Sequence, residues 1–312
     1  MSCNQIYFDH GATTAVRPEV IAKMLPYFGL SYGNPSSVYN LARSAKHAIN
    51  GARETIANCI NAKADEIYFT GCGSESDNWA LKGILSANKN KGNHIITTAI
   101  EHHAIITTCE YLEKQGFEVT YVPVDENGVV NPEDIEKAIT DKTVLISVMF
   151  ANNEIGTIEP IKEIGEIARK HNVYFHTDAV QAFGQVPINV DECNIDMLSA
   201  SGHKLNGPKG IGFLYIRKGL KIRSFVHGGG QERKRRPRPV PVEGEEAPAP
   251  RKRRAAEDED LPPIETVEEE VDVYDALDEE EGYEGEYDED VEYEKPRSKA
   301  IKHNTLSIKR LC

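Results

Sequence analysis

Val144–Asp178 reads VLISVMFANNEIGTIEPIKEIGEIARKHNVYFHTD. It opens on Val144–Met149, an apolar and β-branched run with almost no polar interruption, as a strand covered on both faces should be. It closes on a second such run, Val173–Asp178. Between them Pro160–His171 places Ile161, Ile164, Ile167 and Ala168 on one helical face. Strand, helix and strand in that order make a β-α-β unit, whose two strands run parallel because a long crossover separates them.

The same alternation extends in both directions. Ile67–Thr70, His94–Thr98 and Glu118–Pro123 read as strands upstream, with helical patterns at Glu75–Ala87 and about 104–114. The DENG turn at Asp125–Gly128 precedes a helix opened by Asn131 and Pro132. Ile195–Ser199 and Ile211–Ile216 follow downstream and flank a short Gly-rich link, so they can pair antiparallel. The expected fold class is therefore α/β: a mostly parallel sheet sandwiched by helices. Ligands in such sheets sit beyond the carboxyl ends of the strands.

The chain has 312 residues, 39% hydrophobic and 28% charged, with a formal net charge of −14. Residues 233–312 hold about 24 Asp and Glu against about 15 Lys and Arg, so most of the negative charge lies there. Two basic clusters, RKRRPRP from Arg233 and RKRR from Arg251, precede a run rich in Asp, Glu and Tyr. The apolar content is too low to offset the entropy of ordering, which predicts a disordered charged tail behind a domain of residues 1–232. The basic clusters read as solvated charge in that tail rather than as a localisation or anion-binding patch.

The front part carries no basic stripe, so nucleic acid is not the expected partner. No apolar run is long enough to predict a membrane span, and MSCNQIYFDHG lacks the features of a secretory signal. The cysteines at 3, 59, 72, 109, 193 and 312 show neither CxxC pairs nor regular spacing. That spacing predicts neither a metal site nor a disulfide framework, and it fits a reducing cytoplasm.

Three constellations carry chemistry. In SGHKLNGPKG, Ser201–Gly210, Lys204 follows a core strand. Partly desolvated, its amine could condense with an aldehyde; the ordinary alternative is a solvated turn lysine. Asp178 ends another core strand, where an acid either caps a turn or meets a fixed partner. In FTGCGSESDN, Phe69–Asn78, a strand gives way to small residues and a helix start, which suits a phosphate dianion. The ordinary alternative there is an N-cap, since Ser74 and Asp77 have capping-box spacing.

These stretches, with YFDHGATTAVRPEV, YGNPSSVYNLAR, TAIEHHA, ANNEIGTIEPI, HTDAVQAFG, GIGFLYIRKG and HGGGQER, are collinear over about residues 6–233. Together they resemble the class V aminotransferase-like enzymes that use pyridoxal 5'-phosphate (PLP), and among them the NifS/IscS-type cysteine desulfurases. The resemblance implies the large domain of a fold-type I PLP enzyme and a position-by-position set of roles. Lys204 is implied as the lysine that holds PLP and moves protons, and Asp178 as the partner of the ring nitrogen. His102 is implied on the ring face and as a second catalytic group. Gly73, Ser74, Ser201 and His203 are implied at the phosphate, and Asn153 and Gln181 near the ring oxygen and substrate. For His102 the alternative is a core histidine, and for the two amides ordinary loop hydrogen bonds.

The implied activity converts L-cysteine to L-alanine and passes sulfur to an enzyme cysteine, for iron–sulfur cluster or thio-cofactor assembly. A homodimer and a sulfur-acceptor or iron–sulfur scaffold protein are the implied partners. The sequence departs from the family after GGGQER. Neither the family's Gly-Thr segment, nor its small C-terminal domain with the acceptor cysteine, nor its substrate-binding arginine is recognisable in residues 233–312. Either the tail replaces them, with Cys312 or Cys72 as acceptor, or the chain binds PLP with impaired desulfuration. Without a covering domain or dimer partner, the segment around Asp9–Thr14 is expected to leave apolar residues exposed. Selenocysteine lyase, another class V chemistry, and a non-catalytic scaffold are the alternatives.

Overall fold

The structure is a computed structural model that describes residues 6–228. The charged segment 233–312, with Cys312, and Cys3 lie outside the described residues. Seven strands form one sheet: β1 (Ile67–Thr70), β2 (His94–Thr98), β3 (Glu118–Val122), β4 (Thr143–Ser147), β5 (Tyr174–Asp178), β6 (Met197–Ser201) and β7 (Gly212–Ile216). Their order across the sheet is β1-β7-β6-β5-β4-β2-β3. The neighbours β3, β2, β4, β5 and β6 pair in parallel, and β7 is antiparallel to both β6 and β1. The carboxyl ends of β1, β2, β4, β5 and β6 therefore share one edge.

Among the described residues six helices accompany the sheet: α1 (Pro18–Met24), α2 (Asn40–Cys59), α3 (Gly73–Ala87), α4 (His103–Glu113), α5 (Pro132–Ala138) and α6 (Ile161–Lys170). Alternation along each strand sends successive side chains to opposite faces. Ile96, Ile146, Phe175 and Leu198 pack on one face with Ala57 of α2, Ile135 of α5 and Ile164 of α6. Ile95, Leu145, Met197 and Leu214 pack on the other with Leu81 and Ile84 of α3 and Ile105 of α4. The sandwiched sheet expected from the strand-helix alternation is thus present. Ile161, Ile164 and Ala168 are buried on α6 as the spacing predicts, while Ile167, read on the same face, is half-buried. A Cβ on Gly165 of α6 would stand 1.9 Å from the Cys193 carbonyl oxygen, so only glycine allows this helix to approach so closely.

Several local readings change. Strand β4 ends at Ser147, two residues earlier than the apolar run suggested, because pairing with β2 stops there and the Met149 amide donates to the Glu101 carboxylate instead, although Val148 and Phe150 still donate to β5 carbonyls. Helix α2, the longest, was not anticipated; its buried positions are Ala42, Ala45, Arg53 and Ala57, too small or too polar to write an apolar stripe. The capping box at Ser74 and Asp77 does not form, because α3 already begins at Gly73.

Candidate active site

Five strand ends deliver side chains to one cleft of about 660 Å³ at the carboxyl edge of the sheet. All nine residues singled out from the sequence line it: Gly73, Ser74, His102, Asn153, Asp178, Gln181, Ser201, His203 and Lys204.

Lys204 follows β6 in a tight turn, Gly202–Lys204. Its Nζ donates to the Gly11 carbonyl. Burial holds the amine below the ordinary lysine value, against the pull of the Asp178 and Asp9 charges. The turn is pinned from the N-terminal segment. Thr14 donates to the His203 carbonyl from both its amide and its hydroxyl, and the Asn206 amide donates to Thr14 Oγ1 at 2.7 Å. Gln181 Nε2 donates to the same Gly11 carbonyl, at 2.8 Å. For Gln181 the ordinary loop bond is therefore present beside its place in the cleft.

Asp178 ends β5 and is buried. One carboxylate oxygen accepts the Val180 amide at 2.9 Å, so it caps its turn and lines the cleft at once. Burial raises its pKa, and the Val180 amide and the charge of Lys204 oppose the rise. His102 is exposed rather than a core histidine. It is the N-cap of α4: its Nδ1 accepts the Ala104 amide at 3.1 Å, which leaves Nε2 to carry the proton of the neutral ring.

The first turn of α3 offers an anion site. Its opening N–H groups have no helical acceptor, as at any helix start. Here the Glu75 carboxylate turns back to the Gly71 amide at 2.8 Å, leaving the first turn open. A Cβ on Gly73 would lie 2.6 Å from Val180 Cγ2, so glycine lets the turn sit against the loop after Asp178. Across from it, the buried Ser201 hydroxyl has no hydrogen-bond partner. An unpaired buried hydroxyl costs roughly 1–3 kcal/mol, which a bound acceptor would remove. His203 Nδ1 faces Thr13 Oγ1 at 3.1 Å, and burial lowers its pKa, helped by Lys204 and Lys209.

Acids that escaped the sequence reading stand in or beside this site. Glu101, beside His102, is buried; one oxygen accepts Thr98 Oγ1 at 2.7 Å and the Met149 amide at 2.8 Å, and burial pushes its pKa up to about 8. It ties the loop carrying His102 to the end of β4. Asp77, read as a capping acid, lies buried in the cleft wall. Beside Asn153, Asn152 orders the following turn by accepting the amides of Glu154 and Ile155 at 2.8 and 3.1 Å. Cys72 lines the cleft and is exposed, whereas Cys109 is buried and Cys59 and Cys193 are half-buried, as packing cysteines would be. Among the described residues no group of His, Cys, Asp or Glu could hold a metal ion, and no helix is long and apolar enough to cross a membrane.

Residues 6–250 match the family described as Aminotransferase class-V. The cysteine desulfurase IscS of Clostridium botulinum (strain Kyoto / Type A2) is 62% identical over 229 residues, which are 73% of this chain and 58% of that protein. IscS of Methanosarcina thermophila is likewise 62% identical, over 73% of this chain and 57% of its own length. A solved structure titled "SspA in complex with cysteine" superposes with a TM-score of 0.71 at 44% identity, covering 73% of this chain and 66% of that one. The chain thus spans less than three fifths of the length of these curated relatives. With its mostly parallel sheet and this family match over most of its length, the chain belongs to the aminotransferase class-V family.

Proposed function

We propose that residues 1–232 form the PLP-binding large domain of a cysteine desulfurase, acting on L-cysteine in the cytoplasm. The observation that carries this reading is the meeting of Lys204 and Asp178 at one cleft, close enough for each charge to act on the other. The residues fit the cofactor. The open first turn of α3 and the orphaned Ser201 hydroxyl suit a phosphate, and a buried carboxylate suits a protonated ring nitrogen. When bound, PLP supplies an aldehyde for amines and a ring that stores the electron pair left at the α-carbon.

The chain's own residues do the rest. Gly73, Ser74, Ser201 and His203 would hold the phosphate. Asp178 would set its charge against the ring nitrogen. His102, held by its Nδ1 bond, would lie on the ring face and carry a proton on Nε2. Asn153 and Gln181 would hold the ring oxygen and the substrate. Lys204, its amine held below the ordinary lysine value by burial, would be the base that moves the α-proton. Sulfur leaves L-cysteine to a cysteine thiolate of the enzyme; the C–S bond breaks, an S–S bond forms, and the products are a persulfide and L-alanine. Among the described cysteines Cys72 alone lines the cleft.

A homodimer belongs to the same proposal, supported by the exposed side chains of Ile6, Phe8, Phe28, Leu30 and Tyr32. So does delivery of the sulfur to an acceptor or iron–sulfur scaffold protein. Incubation with L-cysteine, PLP and dithiothreitol tests the activity. Equimolar alanine and sulfide from the protein, and none from Lys204→Ala, are expected. Alanine without sulfide, or no turnover by PLP-loaded protein, overturns the desulfurase reading.

A further inference from the structure

Beneath the cleft lies a buried polar row that the proposed chemistry does not use. His176 is fully buried on β5, two residues before Asp178 and so on the same face of the strand. Its ring bridges β4 and β6: Nδ1 meets Ser147 Oγ at 2.9 Å and Nε2 meets Ser199 Oγ at 3.0 Å. Above the row, α3 inserts Asp77, 1% exposed, whose Oδ1 stands 3.7 Å from His176 Nε2 without a hydrogen bond. The row thus joins the three strands whose ends carry Asn153, Asp178 and Lys204.

We propose that Asp77 is a positioning residue that holds a proton beneath the cleft, so that the Asp77–Asp178 pair presents a single negative charge, borne by Asp178. Two ionised carboxylates cannot share a dry floor without a cation. The charged groups around Asp77 supply none. The Asp178 charge opposes its ionisation, and only the Ser199 hydroxyl favours it. His176 offers no counter-charge, since burial pushes its pKa down to about 3. Burial first, and the Asp178 charge second, drive Asp77 well above the ordinary carboxylate range. Asp178 differs in having a backbone amide on its carboxylate and Lys204 nearby, both of which favour the charge. The split of one proton between two acids follows from these unlike surroundings.

The inference about which floor acid meets the cofactor rests on the PLP reading, but the proton itself does not. Infrared difference spectra of the protein without added PLP, wild type against Asp77→Asn, isolate the carboxyl of Asp77. At neutral pH a protonated-acid carbonyl band, lost in the variant, is expected. In Asp178→Asn the band should titrate away at lower pH, because the like charge beside it is gone. An ionised Asp77 at neutral pH, or a titration unmoved by Asp178→Asn, overturns the proposal. A second measurement uses PLP affinity, read by absorbance in equilibrium dialysis. Asp77→Asn, a neutral hydrogen-bonding mimic, should stay within about threefold of wild type. Asp77→Leu should lose about tenfold, the cost of stranding polar neighbours. Equal loss in both variants would mean that the charged form is needed and overturns the proposal, as would equal retention. Wild-type protein that takes up no PLP would refute the cofactor reading while the infrared result still decides the proton.

Discussion

Thr14 and His203 are joined twice: the amide and the hydroxyl of Thr14 both donate to the His203 carbonyl, at 2.9 and 2.8 Å. The pair fastens the N-terminal segment to the turn that presents Lys204. Thr14→Val keeps the shape but removes the hydroxyl, which also leaves the Asn206 amide without its acceptor. A loss of about 1–3 kcal/mol of stability is expected, together with weaker PLP uptake. Denaturant unfolding and dialysis measure both; unchanged stability and uptake would show the segment to be unattached in solution.

Gly73 sits where a side chain would strike Val180 Cγ2 at 2.6 Å. Gly73→Ala should cost about 1–3 kcal/mol by overpacking and push the first turn of α3 away from a bound phosphate. Val180→Ala removes the struck atom, so the double variant should recover much of both losses. Additive effects of the two substitutions would contradict the contact.

Glu101 makes stability fall with pH. Its pKa rises from 4.5 to about 8 on folding, so the folded state holds a proton that the unfolded state releases over that window. Its contribution is complete below about pH 4.5, declines as pH rises to about 8, and is level beyond. Glu101→Gln has no such proton. Across that window the variant should gain stability relative to wild type as pH rises, in paired denaturant titrations. A constant difference would mean that Glu101 ionises normally.

The Lys204 amine should react below the pH expected of a surface lysine, because burial lowers its pKa. The Asp178 charge opposes that shift, so Asp178→Asn should lower the midpoint further. Acylation rates of the Lys204 peptide across pH, read by mass spectrometry without cofactor, give the midpoint. A midpoint raised by Asp178→Asn would contradict the placement of the two charges.

What could be read from the residues alone follows from where the signal lies. Runs such as VLIS and MLSA are buried on both faces, so their apolar character announces strands directly. Lys204 and Asp178 were legible because they stand at or just after the ends of such runs, where a charged residue is conspicuous, whereas Ser201 came only with the family resemblance. Helix α2 was hidden because its inner face is built from alanines and from Arg53, whose Nε donates to the Ile67 carbonyl at 3.2 Å. Asp77 was misread for a related reason. Its distance from Ser74 matches a cap, and only the packing of α3 over β5 shows that the carboxyl faces His176.

In the proposed function one amine, Lys204, takes up the cofactor beside Asp178. Purified protein is mixed with PLP, reduced with borohydride and digested, and the pyridoxyl group is located by mass spectrometry. A visible absorption band that reduction abolishes is expected, with the label on the Lys204 peptide and absent from Lys204→Ala. No band, or label scattered over exposed lysines and unchanged in Lys204→Ala, would contradict it.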